Sequence, residues 1–90
     1  MSLLPSYTNQ FEKDIKLCRK RNKDLTKLKT VVSLLIDKTA LPARNKDHKL
    51  SGSYVGRREC HIEPDWLLIY KVRGNEIIFE RTGTHSDLFE

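Results

Sequence analysis

No apolar run in this 90-residue chain approaches the ~20 residues that a membrane-spanning helix needs. The opening "MSLLPSYTNQ" has no basic segment leading into an apolar one, so no secretory leader is expected. Cysteine is scarce: Cys18 and Cys60 are too few for a disulfide framework and lack the close pairing of a metal site. They fit small buried hydrophobes in a reducing cytosol, where the protein is expected to work. The three histidines, His48, His61 and His85, include no pair at metal-ligand spacing, so neither a metal nor another cofactor is expected. The chain also lacks a phosphate-binding glycine loop, a Ser-His-Asp triad in any familiar order and a cysteine-nucleophile motif. Its length argues against a second domain, so residues 1–90 are expected to build one thin core.

What the chain does have is an uneven charge. Residues 12–29, "EKDIKLCRKRNKDLTKLK", hold eight Lys and Arg against three Asp and Glu. That net +5 is the whole excess of the molecule, because the remainder carries nine of each sign. Such a stretch suits nucleic acid or an acidic protein partner, and it also describes a solvated helix face.

Periodicity organises the first half as helices. "NQFEKDIKLCRKR" carries Phe11, Ile15 and Cys18 on one stripe, with Asn9 and Glu12 spaced as a capping box. A second helix is expected from about Asp24 to Lys38, with a wider stripe through Leu25, Leu28, Val32 and Leu35, stopped by Pro42. The short connection predicts an antiparallel helical hairpin. Residues 3–8 are weakly strand-like, and Pro5 confines them to a sheet edge or a bulge. Residues 41–56 read as an ordered loop with a short extended piece near Lys49 to Ser51. Strands follow at about Arg57–Ile62, Trp66–Val72 and Glu76–Thr82, with Gly74-Asn75 as a hairpin turn. Thr84 and Asp87 are placed to cap a last short turn ending at Phe89.

Strand parity predicts which side chains share a face. With Gly74-Asn75 as a two-residue loop, Arg73 faces Glu76 and Leu68 faces Arg81. With Glu63-Pro64 at the tip of the earlier turn, His61 faces Trp66. His61, Trp66, Leu68, Tyr70, Phe79 and Arg81 would then lie together, away from the helices. Leu67, Ile69 and Ile78 would lie beside the helices. A one-residue slip in either turn would break this grouping.

The candidate chemistry is acid–base. Histidine is the usual general acid or base near neutral pH, with a reference pKa of ~6.5. Arg81, late in an apolar strand, demands a partner: a carboxylate such as Glu59 or Asp65, or a phosphate. Trp66 and Phe89 are core plugs or stacking surfaces for bases. Imidazoles, a guanidinium, aromatics and a basic helix suit RNA cleavage, in which the substrate's 2′-OH is the nucleophile and no metal is needed.

The segments "KDHKLSGSYVGRRECHIEPDWLLIYKV" and "FERTGTHSDLF" closely resemble the YafQ-type branch of the RelE/ParE toxin superfamily, and "FEKDIKLCRKRNKDLTKLKTVVSLL" resembles that branch's helical hairpin. The resemblance runs from about Phe11 to Phe89 and matches poorly over the first ten residues. It implies an α+β, microbial-RNase-like fold: an antiparallel sheet of about four strands with the two-helix hairpin on one face. It implies a toxin of a type II toxin–antitoxin pair that cuts messenger RNA in the A site of the 70S ribosome. A cognate antitoxin is then the protein partner, operator DNA is met only through that antitoxin, and no membrane is involved. The family's functional positions fall on His48, His61, Asp65, Trp66, Arg81, His85 and Phe89. On this reading His85 is the general acid, and His48, His61 or Asp65 is the base, with orienting a histidine as the second role open to Asp65. Arg81 stabilises the phosphorane-like transition state, and Trp66 and Phe89 position bases. Lys16, Arg19, Lys20 and Arg21 would face ribosomal RNA or the antitoxin. Two alternatives remain at this point: a non-nuclease, gyrase-binding toxin of the ParE type on the same fold, and a plain RNA-binding module.

Overall fold

The computed structural model describes residues 2–89. Strand β1 (Leu4–Tyr7) leads into helix α1 (Asn9–Lys20) and helix α2 (Leu25–Ile36). A long loop then delivers β2 (His48–Lys49), β3 (Arg58–Glu63), β4 (Trp66–Arg73), β5 (Glu76–Gly83) and the short helix α3 (His85–Phe89). Among the described residues no helix is long and apolar enough to cross a membrane.

The helices end where local chemistry ends them. The N-cap of α1 is Thr8, one residue before the expected Asn9, and its Oγ1 accepts from the Phe11 N–H at 3.0 Å. Asp24 caps α2 in the same way, accepting from the Thr26 N–H at 3.0 Å. Both helices close through a left-handed residue, Asn22 after α1 and Lys38 after α2. The next amides, of Lys23 and Thr39, return to the Cys18 and Leu34 carbonyls at 3.0 and 2.9 Å. The second helix therefore stops at Ile36 by its own closure, well before Pro42, the expected stop.

The sheet has five strands in the order β1-β5-β4-β3-β2, one more than the four expected. β1 takes the expected edge position and runs parallel to β5; the other neighbours are antiparallel. Gly74 at φ +61° makes the β4–β5 turn, and Arg73 pairs with Glu76 as predicted.

Two one-residue irregularities then overturn the predicted faces. In β5 the pairing shifts past Glu80, so Ile69 meets Arg81 and Leu68 meets Thr82. At the β3–β4 turn the tip is Pro64-Asp65, Glu63 meets Trp66, and a shift past Ile62 sets His61 opposite Leu67. The helices pack on Cys60, Trp66, Leu68, Tyr70, Ile77 and Phe79, together with Phe11, Cys18, Leu28, Val31 and Leu35. Leu67 and Ile69 form a second, smaller cluster on the opposite face with Leu88 of α3, flanked by Leu50 and Tyr54. Of the predicted polar-face group, His61 and Arg81 keep their place on the face away from the helices, while Trp66, Leu68, Tyr70 and Phe79 belong to the helix side.

Gly83 joins β5 to α3 where a side chain has no room: a Cβ there would lie 2.8 Å from Asp87 Oδ2. The predicted Thr84–Asp87 cap is present, with the Thr84 N–H donating to Asp87 Oδ2 at 2.9 Å and the Asp87 N–H to Thr84 Oγ1 at 3.1 Å. Both cysteines are free and buried, and burial pushes the Cys60 thiol up to about 12.

Candidate active site

Three elements bring the histidines into one row on the sheet face away from the helices. His48 arrives on β2, opposite Glu59, and His61 lies on β3. His85 is the first residue of α3. Ring centroids are 6.4 Å apart from His48 to His61 and 6.0 Å from His61 to His85. Phe89 extends the row, 6.2 Å beyond His85 and in edge contact with Tyr54 at 5.5 Å. The Tyr54 hydroxyl donates to the Leu88 carbonyl at 3.1 Å, tying down the end of α3.

Each ring is held by the same nitrogen. Nδ1 of His48 lies 2.6 Å from the Lys46 carbonyl, Nδ1 of His61 3.2 Å from the Pro64 carbonyl, and Nδ1 of His85 2.7 Å from Asp65 Oδ1. All three partners are acceptors, which assigns a proton to every Nδ1 and leaves every Nε2 to do chemistry. Asn45, buried in the preceding loop, donates to the His61 carbonyl at 2.6 Å and fixes the approach to β2.

Two carboxylates serve these rings in different ways. Asp65 is exposed and accepts from both the His85 N–H, at 3.0 Å, and its ring. Those bonds, the backbone one first, hold its carboxyl below the usual carboxylate range. A carboxylate stabilised as an anion is a poor base and a good orienter, so Asp65 fits the second of the two roles expected of it. Glu59 is buried, with Oε1 3.4 Å from His61 Nε2 and 3.7 Å from His48 Nε2. Sequence reasoning weighed Glu59 only as a partner for Arg81, although its position two residues before His61 on a strand was the signal that it shares the histidine face.

Arg81 and Trp66 stand apart from the row. The partner of Arg81 is neither Glu59 nor Asp65 but Asp14 of α1: Nε donates to Oδ2 at 2.8 Å and Nη2 to Oδ1 at 3.3 Å. Asp14 is buried and also accepts from the Thr82 N–H at 3.1 Å, which ties α1 to β5. Its signal in the sequence was a carboxylate set inside the Phe11–Ile15–Cys18 stripe. Trp66 is 1% exposed, and its indole donates to Thr82 Oγ1 at 3.0 Å. Trp66 shares the helix side with Leu68 and Tyr70 of its own strand, and the bulge at Ile62 sets His61 on the opposite face, so the expected stacking of a base on Trp66 has no exposed surface to use.

On α1, Lys16, Arg19 and Lys20 are exposed. Arg21 is engaged with Asp87, Nη1 to Oδ2 at 2.7 Å and Nη2 to Oδ1 at 3.3 Å, clamping α3 to the helical hairpin. Among the described residues no group of three or more His, Cys, Asp or Glu side chains is placed to hold a metal ion.

The sequence and the fold have close counterparts. Residues 3–90 match the family described as the bacterial toxin of type II toxin–antitoxin systems, YafQ. The mRNA interferase toxin YafQ of Escherichia coli strain K12 is 55% identical over 84 residues, covering 92% of this chain and 91% of that protein. The crystal structure of YafQ from E. coli BL21(DE3) superposes with a TM-score of 0.92 at 52% identity, over 96% of this chain and 97% of that one. The toxin in the E. coli DinJ–YafQ toxin–antitoxin complex gives 0.92 at 49% identity, with both chains fully covered. With the RelE-like sheet, the histidine row and these matches together, the chain belongs to the YafQ family of type II toxin–antitoxin toxins.

Proposed function

We propose that this chain cuts messenger RNA held in the ribosomal A site, by metal-independent acid–base catalysis along the His48–His61–His85 row. Family membership makes it the toxin of a type II pair and an mRNA interferase, which is an endoribonuclease. That membership favours RNA cleavage over gyrase binding or plain RNA binding. The observation that carries the mechanism is the common tethering of Nδ1, which leaves three Nε2 atoms to one surface. His61 and His85, with centroids 6.0 Å apart, are spaced to flank one phosphodiester, each within a hydrogen bond of about 3 Å of a reacting oxygen.

His61 Nε2 takes the proton of the 2′-OH, with His48 alongside as the second candidate base. The 2′-oxygen bonds to phosphorus as the P–O5′ bond breaks, and the 5′-oxygen takes its proton from Nε2 of His85. Products are a 2′,3′-cyclic phosphate and a 5′-hydroxyl. Asp65 fixes the ring of His85. Asp14 occupies Nε and Nη2 of Arg81, which leaves Nη1 for a phosphate oxygen. Phe89, 44% exposed at the end of the row, is the surface for a neighbouring base.

The row is open at its two ends, with the His48 and His85 side chains 49% and 56% exposed, and His61 between them is 15% exposed. An open shelf grips a flexible strand weakly, so a second body must orient the codon; the ribosome does this, and Lys16, Arg19 and Lys20 meet its RNA. A cognate antitoxin, as DinJ is for E. coli YafQ, is the protein that holds the toxin inactive. The test is primer extension on one transcript, free and as a 70S complex with an open A site. Cleavage at the A-site codon of the complex, with the free transcript intact, is expected. Equal cleavage of both would remove the ribosome from the reaction.

A further inference from the structure

Glu59 is the one carboxylate on the histidine face that is withdrawn from solvent, with a side chain 6% exposed on β3. A buried carboxylate is costly unless it is paired, and residues of similar size without charge would fill the same space. Among the described residues its ion contacts are the two imidazoles, His61 Nε2 at 3.4 Å and His48 Nε2 at 3.7 Å. Both distances exceed those of a charge-assisted hydrogen bond, about 2.7–2.9 Å. The carboxylate therefore acts on the rings through its field rather than by a hydrogen bond to either Nε2. Asp65, hydrogen-bonded and exposed, holds His85 at the other end of the row, so acid and base ends each have their own anion.

We propose that Glu59 is a positioning residue of the cleavage reaction, its carboxylate holding the positive charge that His61, or His48 beside it, acquires on removing the 2′-OH proton. The proton stays on the ring's Nε2 and Glu59 remains ionised throughout. This rests on the ribosome-dependent cleavage proposed above, and it adds a group that acts when the base becomes charged, not when substrate binds.

The test compares parent, Glu59→Gln and Glu59→Asp in single-turnover cleavage of a 70S-bound message, alongside urea unfolding at about pH 8, above the usual imidazole range. For Glu59→Gln the saturating rate is expected to fall about 30- to 100-fold, with the half-saturating concentration unchanged. Its unfolding midpoint should be no lower than the parent's, because a buried charge is removed rather than a structural bond. Glu59→Asp, which keeps the charge one methylene further back, should recover part of the rate. A Gln variant that cuts at the parental rate, fails to fold, or loses activity only in proportion to lost stability would overturn the proposal. A parent that leaves the ribosome-bound message intact would instead remove the nuclease reading, and this proposal with it.

Discussion

The two faces of the sheet are made by alternate residues of the same strands, yet they obey different rules. The helix face carries Cys60, Trp66, Leu68, Tyr70, Ile77 and Phe79, closed over by two amphipathic helices. The other face carries Glu59, His61 and Arg81 around a small apolar island of Leu67 and Ile69, covered by Leu88 of a five-residue helix and flanked by Leu50 and Tyr54. The helix face supplies the burial that stabilises the fold. The thin cover opposite leaves space for titratable groups, and the sheet beneath makes their backbone rigid. Stability and chemistry are separated by one step of the pleat, so substitutions on the two faces should fail in different currencies.

The largest separation is expected at His85. Its ring is exposed and, among the described residues, hydrogen-bonded only to Asp65, so His85→Ala should change stability by less than about 0.5 kcal/mol. Cleavage of ribosome-bound message should fall about 10²–10⁴-fold, the usual worth of one general acid. Thermal unfolding followed by circular dichroism, beside a cleavage time course, reads both. A variant that cuts normally would take the acid role away from His85.

Trp66 should behave in the opposite sense. Trp66→Phe removes the donor to Thr82 Oγ1 and leaves a small void in the helix-side core. A cost of about 1–2 kcal/mol is expected, measured as a lower urea midpoint. The cleavage rate per folded molecule should stay within about twofold of the parent, since a ring that never meets the substrate adds nothing to the rate. A tenfold loss of rate in a fully folded Trp66→Phe would show that the two faces are coupled through Thr82, whose hydroxyl also donates to the Leu67 carbonyl at 2.7 Å.

The contrast between the faces also explains what was legible in the sequence. Both helices follow from apolar periodicity, the β4–β5 hairpin follows from Gly74-Asn75, and the Thr84–Asp87 cap follows from spacing alone. The three histidines were identifiable as residue types, and the fold sets them in one row. The faces were not legible, because a bulge leaves no mark in a period-two pattern: Ile62 and Glu80 each shift the count by one, which parts His61 and Arg81 from Trp66, Leu68 and Tyr70. Nor was the pairing of Asp14 with Arg81, 67 residues on: a carboxylate inside the apolar stripe marks Asp14 for burial but does not say which cation it meets. The cap of α1 fell on Thr8 instead of Asn9 because both are cap formers and the boundary moves by one residue.

The smallest effect should appear where the two faces are clamped together. Arg21 at the end of α1 grips Asp87 of α3, and this bond, followed by the Thr84 N–H, lowers the Asp87 carboxyl to about 2. A carboxyl depressed in the folded state adds stability above its unfolded value, near 4, and loses it as the pH falls through about 2. The clamp should therefore weaken over that window and be complete at neutral pH. In Asp87→Asn the amide oxygen can still accept from Thr84, so the cap persists while the charge is gone. Urea midpoints between about pH 5 and pH 2 should fall less steeply for this variant than for the parent, by an amount near 0.5–1 kcal/mol for so exposed a pair. Asp24, Glu63 and Asp65 are held low by their own partners in both proteins, so their contributions cancel in the comparison. Parallel curves would mean that α3 is held by Leu88 and Tyr54 alone, and that the histidine shelf keeps its shape without an ionic tie to the helices.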